Sequence, residues 1–346
     1  MRPKTRRRLS ALLALLATAA CLGGAVIWQN TYDLHEQRVS IEHGGHVLTG
    51  VLATPKDGRA RHDLVVHVHG DGPVNATHED GYKPMWEANA KAGYASLSWD
   101  KPATWLDQSM DDRAAEVLAA IAWARARPDI GRVGLWGASQ AGWVLPKVAA
   151  RTPVAFVIAV SPAINWLRQG RYNLLAELRA EGASPDRVRV EVAKSDAVRA
   201  LLERRAPYAE YRAAMGDDGM TAARWTFITK NHTSDATKDL RALRDVPVLL
   251  VLAGHDVNVD TADTERVYRR ELPARTLTVE HYPDATHSLL KRSVERSEAA
   301  TVLTALFRPR ALFAPGFLDD QRRFLRTHRS SPAAPGARPA RSPVRT

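Results

Sequence analysis

Ser139, Asp256 and His287 stand along the chain in that order, and each follows a segment that reads as a β-strand. A serine hydroxyl is a weak nucleophile until a base takes its proton. A histidine does this best when an acid fixes its tautomer and steadies the imidazolium. The chemistry open to such a set is acyl transfer. Ser139 lies in Gly137-Ala138-Ser139-Gln140-Ala141-Gly142, after the apolar run Val133-Gly134-Leu135-Trp136. Small neighbours let a chain turn sharply from strand to helix with the serine at the tip. The helix that follows aims its first N–H groups at developing negative charge. A plain Gly/Ser turn between strand and helix has the same composition, so the flanking segments carry the assignment.

Asp256 lies in Gly254-His255-Asp256, after a strand expected at 247–253. His287 lies in Asp284-Ala285-Thr286-His287-Ser288, after a strand expected at 275–281. Each residue has a plain alternative, the aspartate as a turn residue or helix cap and the histidine as a surface-loop residue. Asp260 follows the same strand and competes for the acid's role, but it sits where a helix N-cap belongs, which favours Asp256. Joint placement raises all three, because chance turn residues need not fall after the right strands in the right order.

The oxyanion donors are expected to be backbone N–H groups. Gln140 follows the nucleophile directly. Asp71 lies in His69-Gly70-Asp71-Gly72-Pro73, a glycine-rich turn after an early buried strand. Its carboxylate, aimed inward, would oppose the oxyanion, so the side chain is expected to turn outward or to pair with a cation. The same stretch opens a rival reading. His67-x-His69-x-Asp71 begins the His-x-His-x-Asp-His zinc pattern of metallo-β-lactamase-fold enzymes, but Gly72 stands where the next histidine belongs. The missing ligand argues against a metal, and His67 reads as a core histidine. No cofactor is expected.

These residues need a scaffold. Strands are expected at 37–42, 46–54, 64–69, 94–99, 132–136, 154–160, 247–253 and 275–281, and helices at 79–92, 107–127, 140–150, 261–272 and 297–307. Strands alternating with helices predict a mostly parallel sheet with helices on both faces, an α/β fold. In open sheets of this kind ligands bind at the C-terminal strand ends, where Ser139, Asp256 and His287 fall. About 85 helical, charged residues separate 160 from 246, too many for an ordinary connection. They read as an inserted helical lid at about 163–243, within a domain of 29–328. Trp105, Trp143 and Trp166 could shape an apolar acyl pocket there, although each also suits ordinary packing.

The formal charge of +11 does not mark a nucleic-acid protein. Nine of the positive charges lie in residues 1–8 and 329–346, leaving +2 for residues 9–328. The body therefore carries no basic footprint, and nucleic acid is not an expected partner. Residues 329–346, rich in Pro, Ala, Arg and Ser, read as a disordered basic tail. Arg6-Arg7-Arg8 precedes residues 9–28, which hold no charge. Twenty helical residues span about 30 Å, the thickness of a bilayer's hydrocarbon. Residues 1–28 thus read as a membrane anchor or signal segment, with the catalytic domain periplasmic or extracellular. Ala17-Thr18-Ala19 would suit a cleavage site, and Cys21, the only cysteine, would suit a lipoprotein signal. The apolar run continuing past Cys21 favours the anchor.

Over residues 37–310 the motifs together resemble the α/β-hydrolase superfamily. Within it they resemble bacterial serine hydrolases of the dienelactone-hydrolase and serine-aminopeptidase type. His69-Gly70-Asp71-Gly72-Pro73 is similar to that type's oxyanion loop, Asp100-Lys101-Pro102 to its Asp-Lys-Pro segment, and residues 136–143 to its elbow. Ala103-Thr104-Trp105 departs from the usual Gly-x-Gly after Pro102, which implies a reshaped loop. The resemblance implies Ser139 as nucleophile, His287 as base, Asp256 as orienting acid, and the N–H groups of Gln140 and Asp71 as oxyanion donors. It implies a serine hydrolase acting on a small-molecule carboxylic ester through an acyl-enzyme. Alternatives are an amide or peptide bond, a catalytically inactive binding module of the same fold, and an anchored structural protein whose basic tail binds anionic partners.

Overall fold

The computed structural model describes residues 3–329; the expected disorder of the C-terminal tail falls almost wholly outside them. The chain opens with helix α1 (Pro3–Gln29), whose segment Leu12–Gln29 is long and apolar enough to cross a membrane and has none of its length buried. Strands β1 (Leu34–His43) and β2 (His46–Pro55) form the hairpin that Gly44-Gly45 signals, both glycines taking positive φ. Then come β3 (His62–Val68), α2 (Lys83–Ala92), β4 (Tyr94–Trp99), α3 (Met110–Arg125), β5 (Ile130–Ala138), α4 (Leu145–Ala149) and β6 (Val157–Val160).

Four helices fill the long connection: α5 (Trp166–Ala180), α6 (Pro185–Glu203), α7 (Tyr208–Met215) and α8 (Ala222–Asn231). The chain returns through β7 (Val248–His255), α9 (Thr261–Glu271) and β8 (Leu277–Thr286). It ends in α10 (Arg292–Glu295), α11 (Glu298–Phe307) and α12 (Phe317–Thr327).

The eight strands make one sheet in the order β1-β2-β4-β3-β5-β6-β7-β8. β1, β2 and β4 pair antiparallel, and β4 through β8 run parallel. This is the expected mostly parallel sheet. β3 and β6 are buried along their whole length, as apolar runs covered on both faces must be. Alternate residues divide the core. Leu64, Val66, Leu135 and Leu250 face α3, α4 and α9, whereas Val65, Trp136, Ile158 and Val251 face α2 and α12. The helices between β6 and β7 carry a small core of their own around Leu201, Leu202, Tyr211 and Trp225. Their two ends are stitched together, Trp166 N–H donating to Ser234 O at 3.0 Å and Ala236 N–H to Ile164 O at 2.8 Å.

Several boundaries differ from expectation for identifiable reasons. The helix expected at 79–92 starts only at Lys83, because His78, Glu79 and Asp80 all take positive φ. The helix expected at 107–127 starts at Met110, where Ser109 closes a capping box with Asp112. The helix expected at 140–150 is a 3₁₀ turn, Ser139–Trp143, followed by the short α4. Pro146 has no N–H to donate to Gly142, so a continuous α-helix cannot form. The strand expected at 275–281 runs on to Thr286.

Helix α12 lies outside the expected elements. Its Phe317, Gln321, Phe324 and Leu325 are buried at helical spacing, a pattern that was there to read. Gln321 ties it into the core, its Nε2 donating to Asn89 Oδ1 at 2.8 Å and its Oε1 accepting from Trp136 Nε1 at 3.1 Å. Asn89 in turn donates to His67 Nε2 at 3.2 Å and to Ser96 Oγ at 3.0 Å. Removing one member of a buried polar set strands its partners. Gln321→Ala is therefore expected to lower unfolding stability by about 2 kcal/mol in urea titrations. A loss under about 0.5 kcal/mol would show that the network carries no weight.

Candidate active site

The local sequence forces the Ser139 turn. Ser139 takes φ 55°, a left-handed conformation costly for any residue but glycine. The fold holds it there by close packing on both sides. A side chain added at Gly137 would come within 2.7 Å of Ala141 Cβ, and one at Gly142 within 2.6 Å of Ala163 O. Ala163 N–H also donates to Ser139 O at 3.0 Å. Strand β5 thus delivers Ser139 to the C-terminal edge of the sheet with its N–H-rich 3₁₀ turn behind it.

Strand β7 delivers Asp256 to the same edge, and β8 delivers His287. His287 Nδ1 lies 2.8 Å from Asp256 Oδ2. The Asp256 side chain is fully buried. Its other oxygen accepts from the N–H groups of Asn258 and Val259, both at 2.8 Å. A buried carboxylate with three donors is compensated, and it can hold an imidazole with Nε2 facing outward. Asp260, the competing acid, is the N-cap of α9 and accepts from Asp263 N–H at 3.0 Å. The acid loop is braced by α5. Tyr172 Oη donates to Asp256 O at 2.8 Å, and Gln169 Nε2 donates to Asn258 O at 2.8 Å. Among the described residues Ser139 Oγ makes no hydrogen bond; the structure pairs His287 with Asp256 and shows no bond from either to Ser139.

Three basic side chains surround the Gly70–Gly72 turn; Lys101 belongs to the Asp-Lys-Pro segment of the sequence, whereas nothing there singled out Arg113 or Arg224. Arg113, fully buried on α3, donates to His69 O at 2.5 Å and to Gln140 Oε1. Lys101 Nζ donates to Gly70 O at 2.6 Å. Arg224, from α8, grips Asp71 with both nitrogens, at 3.0 and 2.6 Å. Burial alone would raise the Asp71 carboxyl, but the hydrogen bonds and charge of Arg224 outweigh it and hold the group below the usual range. Asp71 therefore pairs with a cation, one of the two arrangements expected of it, and also accepts from Gln140 Nε2 at 3.0 Å. Asp71 N–H has no backbone partner among the described residues. Gln140 N–H lies in the first turn of the 3₁₀ segment, where a donor has no helical acceptor. The 3₁₀ segment Trp105–Asp107 occupies the reshaped loop, with Trp105 stacked edge-on to Phe227. Trp143 and Trp166 stack on each other at 4.9 Å.

The strand histidines are committed to the core. His69 bridges Tyr82 Oη at 3.0 Å and Trp99 O at 2.6 Å through its two ring nitrogens. Burial pushes both His67 and His69 down to about 3.

Burial, aided by the charge of Arg113, pushes Lys101 down to about 6. Between about pH 6 and the ordinary lysine range, the unfolded chain holds a proton that the folded chain lacks, so stability rises with pH across that window. Lys101→Met is expected to flatten this rise, read as the change in urea midpoint between about pH 6 and about pH 9. An unchanged slope would mean that Lys101 stays protonated in the fold.

Residues 60–293 match the family described as serine aminopeptidase, S33. The fold is similar to Est1E from Butyrivibrio proteoclasticus, with 15% identity, a TM-score of 0.52, and coverage of 84% of this chain and 98% of that one. It is similar to an esterase of Pyrococcus furiosus, with 15% identity, a TM-score of 0.53, and coverage of 86% and 92%. It is also similar to a thermostable esterase from Pseudomonas putida, with 15% identity, a TM-score of 0.52, and coverage of 90% and 89%. At such identity the likeness is one of fold. No curated protein matches the sequence. The family match spans well over half of the chain and includes the elbow, the acid loop and the histidine loop. The chain is a hydrolase of the α/β-hydrolase superfamily and belongs to the serine aminopeptidase S33 family.

Proposed function

We propose that the protein hydrolyses a carboxylic ester through an acyl-enzyme formed on Ser139. The observation that carries this reading is the 2.8 Å bond between His287 Nδ1 and the buried Asp256, at the sheet edge that also presents Ser139. With Nδ1–H donated to Asp256, His287 Nε2 is the free base. It takes the Ser139 proton as Oγ attacks the acyl carbon, then gives that proton to the leaving alcohol. Water, deprotonated by the same nitrogen, attacks the acyl-enzyme and releases the acid. The N–H groups of Gln140 and Asp71 receive the oxyanion in both steps. Helices α5 to α8 act as the lid, and α1 as a membrane anchor that holds the domain outside the cytoplasm.

Peptide or amide cleavage is the second reading, favoured by the family's name. The charges near the Gly70–Gly72 turn argue for the ester. Arg113 and Arg224 lie there beside Lys101, whose proton burial removes above about pH 6, and Asp71 is already spent on Arg224. An aminopeptidase must hold a substrate ammonium, and a turn whose carboxylate is already paired and whose remaining charge is the Arg113 guanidinium does not favour one.

Short p-nitrophenyl esters are expected to be substrates and aminoacyl p-nitroanilides not. Ser139→Ala and His287→Ala should each lose on the order of 10⁴-fold in kcat. Asp256→Asn should fall nearly as far and Asp260→Asn should stay near wild type. The reverse order would move the acid to Asp260, and anilide turnover above ester turnover would replace the ester reading with the peptidase. Arg224 neutralises Asp71 beside the oxyanion donors. Arg224→Ala is therefore expected to lower kcat about tenfold, and Arg224→Ala/Asp71→Asn to recover most of it. Additive losses in the double variant would show that the pair does not act together.

A further inference from the structure

Helix α11 is apolar, yet none of its residues is buried. Val302 is 57% exposed, Leu303 56% and Leu306 43%. An isolated surface leucine needs no explanation, but three on one short helix form a patch that wants a partner. Its neighbour identifies that partner. α11 packs against the end of α1, the helix apolar enough to cross a bilayer. Asn30 Nδ2, just past that span, donates to Leu306 O at 2.7 Å. Arg310 fastens the same junction, donating to Gln29 O at 2.6 Å and Thr31 O at 3.1 Å while pairing with Glu87 at 2.7 and 2.9 Å. Its guanidinium also lies over Tyr32 at 4.6 Å.

These contacts fix the depth of α11. Residues 29–31 mark where the apolar span ends, and Trp28, 73% exposed, sits at its last turn, where tryptophans favour the headgroup layer. A helix bonded to Asn30 lies at that same level. Arg296 and Arg308, both exposed, bracket α11, and cations at the ends of an apolar helix suit lipid phosphates.

We infer that α11 lies in the membrane interface, with Val302, Leu303 and Leu306 set among the lipids of the bilayer that α1 spans. This rests on the reading of α1 as a membrane anchor. It makes the domain a body seated on the membrane by two adjoining elements, with Arg310 as the rivet between them, rather than one swinging on a tether.

The test uses the full chain in phosphatidylcholine/phosphatidylglycerol vesicles, labelled with an environment-sensitive fluorophore at one cysteine. Three forms are compared: the native Cys21 inside α1, Cys21→Ser/Val302→Cys in α11, and Cys21→Ser/Val47→Cys. Val47 is exposed at the far end of the β1–β2 hairpin, about 30 Å of strand away from α1. The label at 302 is expected to be quenched at least about twofold more by lipids spin-labelled high on the acyl chain than the label at 47, and to resist iodide. The label at Cys21 is expected to respond to spin labels deep in the chain.

A deeply quenched Cys21 beside an iodide-accessible 302 would overturn the α11 proposal and leave the anchor standing. A label at 302 shielded from both quenchers would also overturn it, showing a protein contact such as a second copy. Loss of lipid quenching at Cys21 would overturn the anchor and the α11 proposal with it.

Discussion

The site depends first on how a fully buried carboxylate is made tolerable. Asp256 sits at the C-terminal end of β7 with no solvent on its side chain. Left unpaired there, a charge would cost several kcal/mol or would take up a proton. Two backbone N–H groups and one imidazole N–H satisfy it instead. The turn that supplies those N–H groups is braced from α5, and the histidine comes from the strand next door. The parallel register of β7 and β8 and the docking of the inserted helices thus converge on a single hydrogen bond of 2.8 Å. That bond is what would leave His287 Nε2 free to act as a base.

A second group, of basic side chains, governs the Gly70–Gly72 turn. The Gly70–Gly72 turn has no regular structure of its own and is held by side chains from three other segments. Arg113 spans from His69 O to the Gln140 side chain, so one buried guanidinium connects the segments bearing both proposed oxyanion donors. A planar fork suits this task, and a lysine there would reach only one partner at a time. Arg224 reaches in from α8, which makes the position of the inserted helices and the charge of the turn one coupled quantity.

Much of this was legible in the sequence. Periodicity and apolar runs placed every strand of the parallel half, and the order of Ser139, Asp256 and His287 followed from counting strands. The sign argument on Asp71 left two arrangements, a side chain turned outward or one paired with a cation, and the structure shows the pairing. The choice of Asp256 over Asp260 rested on cap position, and the α9 N-cap lies at Asp260. What stayed hidden was set by long-range contact. Nothing local marks Arg113 as buried, or names Arg224 as the partner of Asp71, 153 residues away. The 3₁₀ form of the turn after Ser139 depends on Pro146, a local signal that the helical pattern outweighed. The buried positions of α12 recur at helical spacing in the sequence, but charges punctuate them, and its docking on α2 shows which face is covered.

The most direct test of the account is where a fluorophosphonate attaches. The wild-type protein is incubated with the probe, its mass is measured, and the adduct is located by peptide mass spectrometry. The account predicts one adduct, on Ser139, formed slowly or not at all when His287 is replaced by Ala. An adduct on another residue, or labelling that persists undiminished in Ser139→Ala, would contradict it.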